Sequence, residues 1–177
     1  MHRRIGSGSP LMLVHGYLGG QFMWQFQEPL QDDFELIMPS LAGYGESAHL
    51  EAPSSIPGNV DDICRLLDYL EIDKVDLLGH SMGGMIVQEM AANRPERINR
   101  LICLGTGSMG VLPNRFEPIE ESRRKILNLG LEHARENIAR TWFLNPDFEA
   151  GLSLCQSEGA KATKQAALAS LEAWEHW

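Results

Sequence analysis

The 177 residues, 44% of them hydrophobic, suffice for one compact domain with a sizeable core. A formal charge of −9 and a pI near 5.1 exclude a nucleic-acid backbone as partner, since that contact needs clustered Lys and Arg, and the one basic run, Arg123-Arg124-Lys125, sits among Glu120, Glu121 and Glu132 as a solvated helix face does. Three scattered cysteines, Cys64, Cys103 and Cys155, form neither a disulfide framework nor a metal motif and are expected as reduced, buried thiols; no apolar run nears the ~20 residues of a membrane span and residues 1–10 lack a signal-peptide core, so a cytoplasmic protein without membrane contact is expected.

Residues 11–14, Leu-Met-Leu-Val, are a continuous apolar run ending at His15-Gly16, the pattern of a strand buried on both faces. After Gly19-Gly20, the spacing of Phe22, Trp24, Phe26 and Leu30 predicts a helix interrupted near Pro29, and residues 34–38 predict a second strand. The segment 40–57, rich in Gly, Ser, Ala and Pro, is too long for a simple connection and suits a functional loop. Ile63, Leu66, Leu67 and Leu70 predict a helix over 59–70, with Asp61 and Asp62 placed for its dipole. A strand at 75–78, a helix at 82–93 stopped by Arg94-Pro95 and a strand at 98–104 follow. Strict alternation predicts an α/β architecture, a mostly parallel sheet of about four strands flanked by helices, over residues 1–112. From 113 to 177 the pattern is helical throughout, at 117–129, 131–143, 148–155 and 161–177, with the alanines at 160, 162, 166, 167, 169 and 173 suited to a helix.

The chemistry concentrates at Gly79-His80-Ser81-Met82-Gly83, a Gly-x-Ser-x-Gly motif between a predicted strand and a predicted helix. A sharp turn there would hold Ser81 in a strained conformation, with Gly79, Gly83 and Gly84 giving the steric room. A nucleophilic serine needs amides aimed at the oxyanion; the Met82 amide, at a helix N-terminus, is one candidate. The second would come from the loop His15-Gly16-Tyr17-Leu18-Gly19-Gly20, with Tyr17 first and Leu18 next. Gly105-Thr106-Gly107-Ser108-Met109-Gly110 spells the outline of a dinucleotide-binding turn, but Val111-Leu112-Pro113 follows where a helix should begin, so no cofactor is expected and the segment reads as a hinge. No metal-ligand spacing is present. His15 and His80 read as residues that pack around the loops, His49, His133 and His176 as surface histidines, and Glu117 and Asp147 have nothing beyond their type to mark them as a catalytic acid.

Four features, in order and spacing over residues 5–107, resemble the α/β-hydrolase superfamily in its helically capped serine-hydrolase branch, which includes enol-lactonases, carbon–carbon bond hydrolases, esterases and cofactor-free haloperoxidases. They are His15-Gly16; Pro39-Ser40-Leu41-Ala42-Gly43-Tyr44-Gly45-Glu46-Ser47; Gly79-His80-Ser81-Met82-Gly83-Gly84; and the strand at 98–104 before the helices. The resemblance implies a partial α/β-hydrolase fold with a cap at 113–177 and a small-molecule acyl substrate, an ester or lactone, in a pocket to which Leu18, Tyr44, Met109, Trp142 and Phe143 contribute. It also implies two short strands before residue 11, where only residues 3–10 remain, and an acid and a histidine on strands after the cap, which these residues do not supply. The expectation is a serine hydrolase that attacks an acyl carbonyl through Ser81 and a backbone oxyanion hole; the alternative is a chain that is catalytically silent or completed by a second chain, and its uncovered sheet edge is expected to favour self-association.

Overall fold

Leu11, Met12, Leu13 and Val14 are all buried, and their alternation splits them between two apolar clusters: Met12 and Val14 enter one, Leu11 and Leu13 the other. That two-sided burial places their strand in the middle of a sheet. In the computed structural model, which describes residues 1–113, 117–144 and 148–177, this strand is β2 (Ser9–Val14) of a five-stranded sheet ordered β1-β3-β2-β4-β5. β3 (Phe34–Pro39), β4 (Val75–His80) and β5 (Ile98–Leu104) are parallel to it.

To the mostly parallel sheet of about four strands expected, β1 (His2–Ile5) adds a fifth, which pairs antiparallel with β3, His2 opposite Pro39 and Ile5 opposite Leu36. Its two arginines hide it from an apolar-run criterion. They are held by ion pairs instead, Arg3 with Glu28 at 2.6 Å and Arg4 with Glu35 at 2.8 Å, as suits an edge strand. Gly6, at φ +79°, makes the return possible, because a Cβ there would lie 2.4 Å from the Phe34 carbonyl.

The Leu11/Leu13 face is covered by residues Gln21–Asp32, which contain Pro29 and form a 3-10 rather than an α-helix, with Trp24 as the buried anchor. The Met12/Val14 face is covered by α1 (Ile56–Tyr69) and α2 (Met82–Asn93). α1 starts before the expected residue 59: the Ser55 side chain caps it, accepting the Gly58 N–H at 3.2 Å, and Pro57 is tolerated in its first turn.

After β5 come α3 (Ile119–Leu129), α4 (Leu131–Thr141), α5 (Glu149–Gly159) and α6 (Lys164–Glu175). α6 buries Ala166, Ala167, Ala169 and Ala173 in the same cluster as Met12 and Val14. Small side chains let it approach the β3 loop so closely that a Cβ on Gly43 would stand 2.3 Å from Ala166 Cβ. β5 itself is the sheet edge, with Leu101, Ile102 and Leu104 exposed on it. For the same reason Cys103, expected to be buried, is exposed, while Cys64 is half-buried and Cys155 buried. Among the described residues no helix is long and apolar enough to cross a membrane, and no cluster of three or more His, Cys, Asp or Glu side chains could hold a metal.

Candidate functional site

Ser81 sits at the turn between β4 and α2 with φ +53° and ψ −119°, a conformation that costs an L-residue on the order of 1–3 kcal/mol. The turn is over-determined by its neighbours. The Ser81 N–H donates to Leu104 O at 3.0 Å, and Thr106 Oγ1 donates to Ser81 O at 2.8 Å. The flanking glycines are sterically obligatory: a Cβ on Gly79 would lie 2.3 Å from Gly83 O, one on Gly83 2.2 Å from Val14 O, and one on Gly84 2.4 Å from Thr106. Met82 is the first residue of α2, where helix geometry gives the N–H no intrahelical acceptor and the dipole favours negative charge.

Against this turn lies the loop after β2. Gly19 N–H donates to Gly16 O at 3.2 Å, closing a turn in which Leu18 is held at φ +54°. A Cβ on Gly16 would be only 2.9 Å from Ser81 Cβ, so the loop backbone reaches the serine because residue 16 has no side chain. His15 fixes this loop to the next. Its Nδ1 bonds Gly16 O at 2.8 Å and its Nε2 accepts the Leu41 N–H at 2.9 Å, an arrangement that requires a neutral ring protonated at Nδ1. Complete burial pushes its pKa down to about 4.

Ser81 opens into a cavity of about 410 Å3 whose lining includes Gly16, Tyr17, His80, Trp142 and Phe143, five of the residues singled out from the sequence. Three others lie elsewhere. Leu18 is buried, with its side chain in the core cluster. Tyr44 is buried under α6, its Oη donating to Ala166 O at 3.1 Å and bonding Ser170 Oγ at 2.6 Å. Met109 is exposed and is not among the described lining residues. The lining is completed by Gly19, Met23, Gly105 and Cys155; Gly105 stood out in the sequence only as part of a hinge, and Met23 and Cys155 sit in segments with no motif spacing.

His80 stacks edge-on against Trp24 at 6.5 Å between ring centroids, and burial lowers its pKa. His49, His133 and His176 are exposed, and Glu117 accepts from Ser122 Oγ at 2.6 Å and pairs with Lys125. Asp147 lies outside the described residues. The Gly105-Thr106-Gly107 segment opens no helix; Thr106 braces Ser81, and Gln88 Nε2 donates to Gly84 O and Gly107 O at 2.9 Å each, tying the segment to α2.

Two further residues bind the helical segment to this loop. Glu158 of α5, 2% exposed, accepts the Phe22 N–H at 3.2 Å and pairs with Lys161 at 2.8 Å, while Lys161 also reaches Glu46 at 3.0 Å. A Cβ on Gly20 would stand 2.3 Å from Glu158 Oε2, so a side chain there would displace this carboxylate.

Comparison with known proteins fits this geometry. A family model described as alpha/beta hydrolase fold matches residues 9–140. The dihydrolipoyllysine-residue acetyltransferase component of the acetoin cleaving system of Pseudomonas putida is 36% identical over 104 residues, 58% of this chain and 28% of that protein. The 2-hydroxymuconate semialdehyde hydrolase of Pseudomonas sp. (strain CF600) is 35% identical over 112 residues, 59% of this chain and 38% of that one. Among solved structures, the enol-lactonase from Burkholderia xenovorans LB400 superposes with a TM-score of 0.87 over 99% of this chain and 69% of that chain, at 22% identity, a likeness of fold. The chain thus spans about a third of the length of these curated relatives.

Proposed function

This chain belongs to the α/β-hydrolase fold family, and from that premise we propose that Ser81 is the nucleophile of a serine hydrolase acting on an ester, lactone or related acyl carbonyl. The observation that carries this reading is the strained Ser81 turn facing a 410 Å3 cavity, with the Gly16 backbone against it. Ser81 Oγ would attack the carbonyl carbon as its proton passes to water, and the oxyanion would form between the amides of Met82 and Tyr17, the first favoured by the α2 dipole; collapse would break the ester C–O bond and release the protonated alcohol, and water would then hydrolyse the acyl-serine to the acid and free Ser81. Helices α3–α6 would act as a cap, with Trp142 and Phe143 excluding water from the reacting centre. The hydrolase and the lactonase among the similar proteins support this reaction class. No cofactor enters the mechanism.

One observation favours a second reading: among the described residues no histidine hydrogen-bonds the Ser81 hydroxyl; His15 has both nitrogens engaged elsewhere, and His80, on the same cavity wall, packs against Trp24. In that reading the chain holds the nucleophile half of a site, silent by itself or served by a base from outside these residues. Turnover of p-nitrophenyl acetate separates the two. The first predicts hydrolysis by the purified chain that disappears in Ser81→Ala; the second predicts the same background rate for both proteins.

A further inference from the structure

A second cavity, of about 230 Å3, adjoins the one that holds Ser81, and Met23, His80, Phe143 and Cys155 line both. Its remaining walls come mainly from the 3-10 helix and α5, through Trp24, Phe26, Phe148 and Leu154. No Asp, Glu, Lys or Arg stands among its described lining residues. The two histidines on its wall, His15 and His80, are biased to the neutral form by burial. Phe26 and Phe148 are about half exposed, so the cavity opens to water on that side; a charged group seated against its apolar walls would lose part of its water without meeting a counter-charge, which is costly.

The apolar surface is also aromatic. Phe148 lies 6.0 Å from Phe26 and 6.1 Å from Phe143 between centroids, at tilts of 40° and 56°, spacings at which rings attract beyond their simple burial. Gly151 is what allows the Phe143–Phe148 pair to seat, for a Cβ there would lie 2.4 Å from the Phe148 ring and 2.8 Å from Phe143. An apolar cavity of about 150 Å3 is enough to hold benzene, so this one has space for a phenyl ring and the atoms that link it to the serine.

We propose that the side cavity is the subsite for an uncharged aryl group, so that the ester received at Ser81 carries a phenyl-sized ring on its acyl or its alcohol side. This rests on Ser81 being the nucleophile. The charge-free, three-phenylalanine wall selects the ring, and the shared Met23 and Phe143 join it to the cavity of the scissile carbonyl.

Binding can be read without turnover by labelling the methionine methyls with 13C and following Met23 by NMR. Methyl phenylacetate places the ring on the acyl side and benzyl acetate on the alcohol side. At least one is expected to shift Met23 saturably, and methyl hexanoate, apolar but not aromatic, to bind roughly fivefold more weakly. Leu154→Trp, which fills the cavity, and Gly151→Val, which drives the rings into it, are each expected to weaken the phenyl ester by about tenfold or more. The proposal is overturned if neither phenyl ester shifts Met23 up to its solubility limit, if methyl hexanoate binds equally, or if Leu154→Trp keeps a dispersed methionine spectrum and an unchanged titration. Saturable binding without covalent modification of Ser81 by a fluorophosphonate would retain the subsite and reject the nucleophile. Modification without a Met23 shift would do the reverse.

Discussion

Burial decides the charge of His15, and with it a pH dependence of folding. The folded pKa, pushed to about 4, lies below the ordinary value of 6.5, so between those values the unfolded chain binds a proton that the folded chain refuses. The contribution is complete above pH ~6.5 and is lost as pH falls to about 4, on the order of 3 kcal/mol in all. Urea unfolding of the parent at a series of pH values should show that slope, and His15→Gln, which cannot titrate, should make it shallower, leaving the part that the partly buried His80 contributes. An equal slope in both would place the effect elsewhere. The sequence made His15 legible as a loop residue because it precedes a glycine at a strand end. Its second bond, to Leu41, was not legible, since it joins two loops 26 residues apart. Tyr44 misled for the same reason: its loop borders the site, but its hydroxyl is drawn under α6 by Ala166 and Ser170.

At the scale of elements, local signals carried the sheet and its helices well. α2 and β5 have the expected ends because Ser81 and Arg94-Pro95 bound one and the apolar run bounds the other. β1 was lost because an edge strand is stabilised by partners such as Glu28 and Glu35, which have no periodicity in sequence. The seat of α5 was equally hidden. Glu158 caps the start of the 3-10 helix from 136 residues away, so Glu158→Ala would leave the Phe22 N–H without its acceptor and take one carboxylate from Lys161. We expect a loss of about 1–3 kcal/mol in urea unfolding, with Glu158→Gln, which keeps an acceptor, closer to the parent. A neutral Glu158→Ala would mean that the contact contributes nothing to holding α5.

For the molecule as a whole, the edge of β5 dominates. Leu101, Ile102 and Leu104 expose apolar surface beside unpaired strand backbone, a combination that favours association with another chain. Sedimentation equilibrium should show an average mass that rises with concentration, and Ile102→Lys should bring it back towards that of one chain. A parent that stays at one chain's mass at every concentration would contradict this. The central claim, that the strained turn presents Ser81 as a nucleophile, is tested most directly by reaction with a small fluorophosphonate followed by peptide mapping. The account predicts one adduct, on Ser81, absent from Ser81→Ala; an unmodified Ser81, or equal modification of the variant, would contradict it.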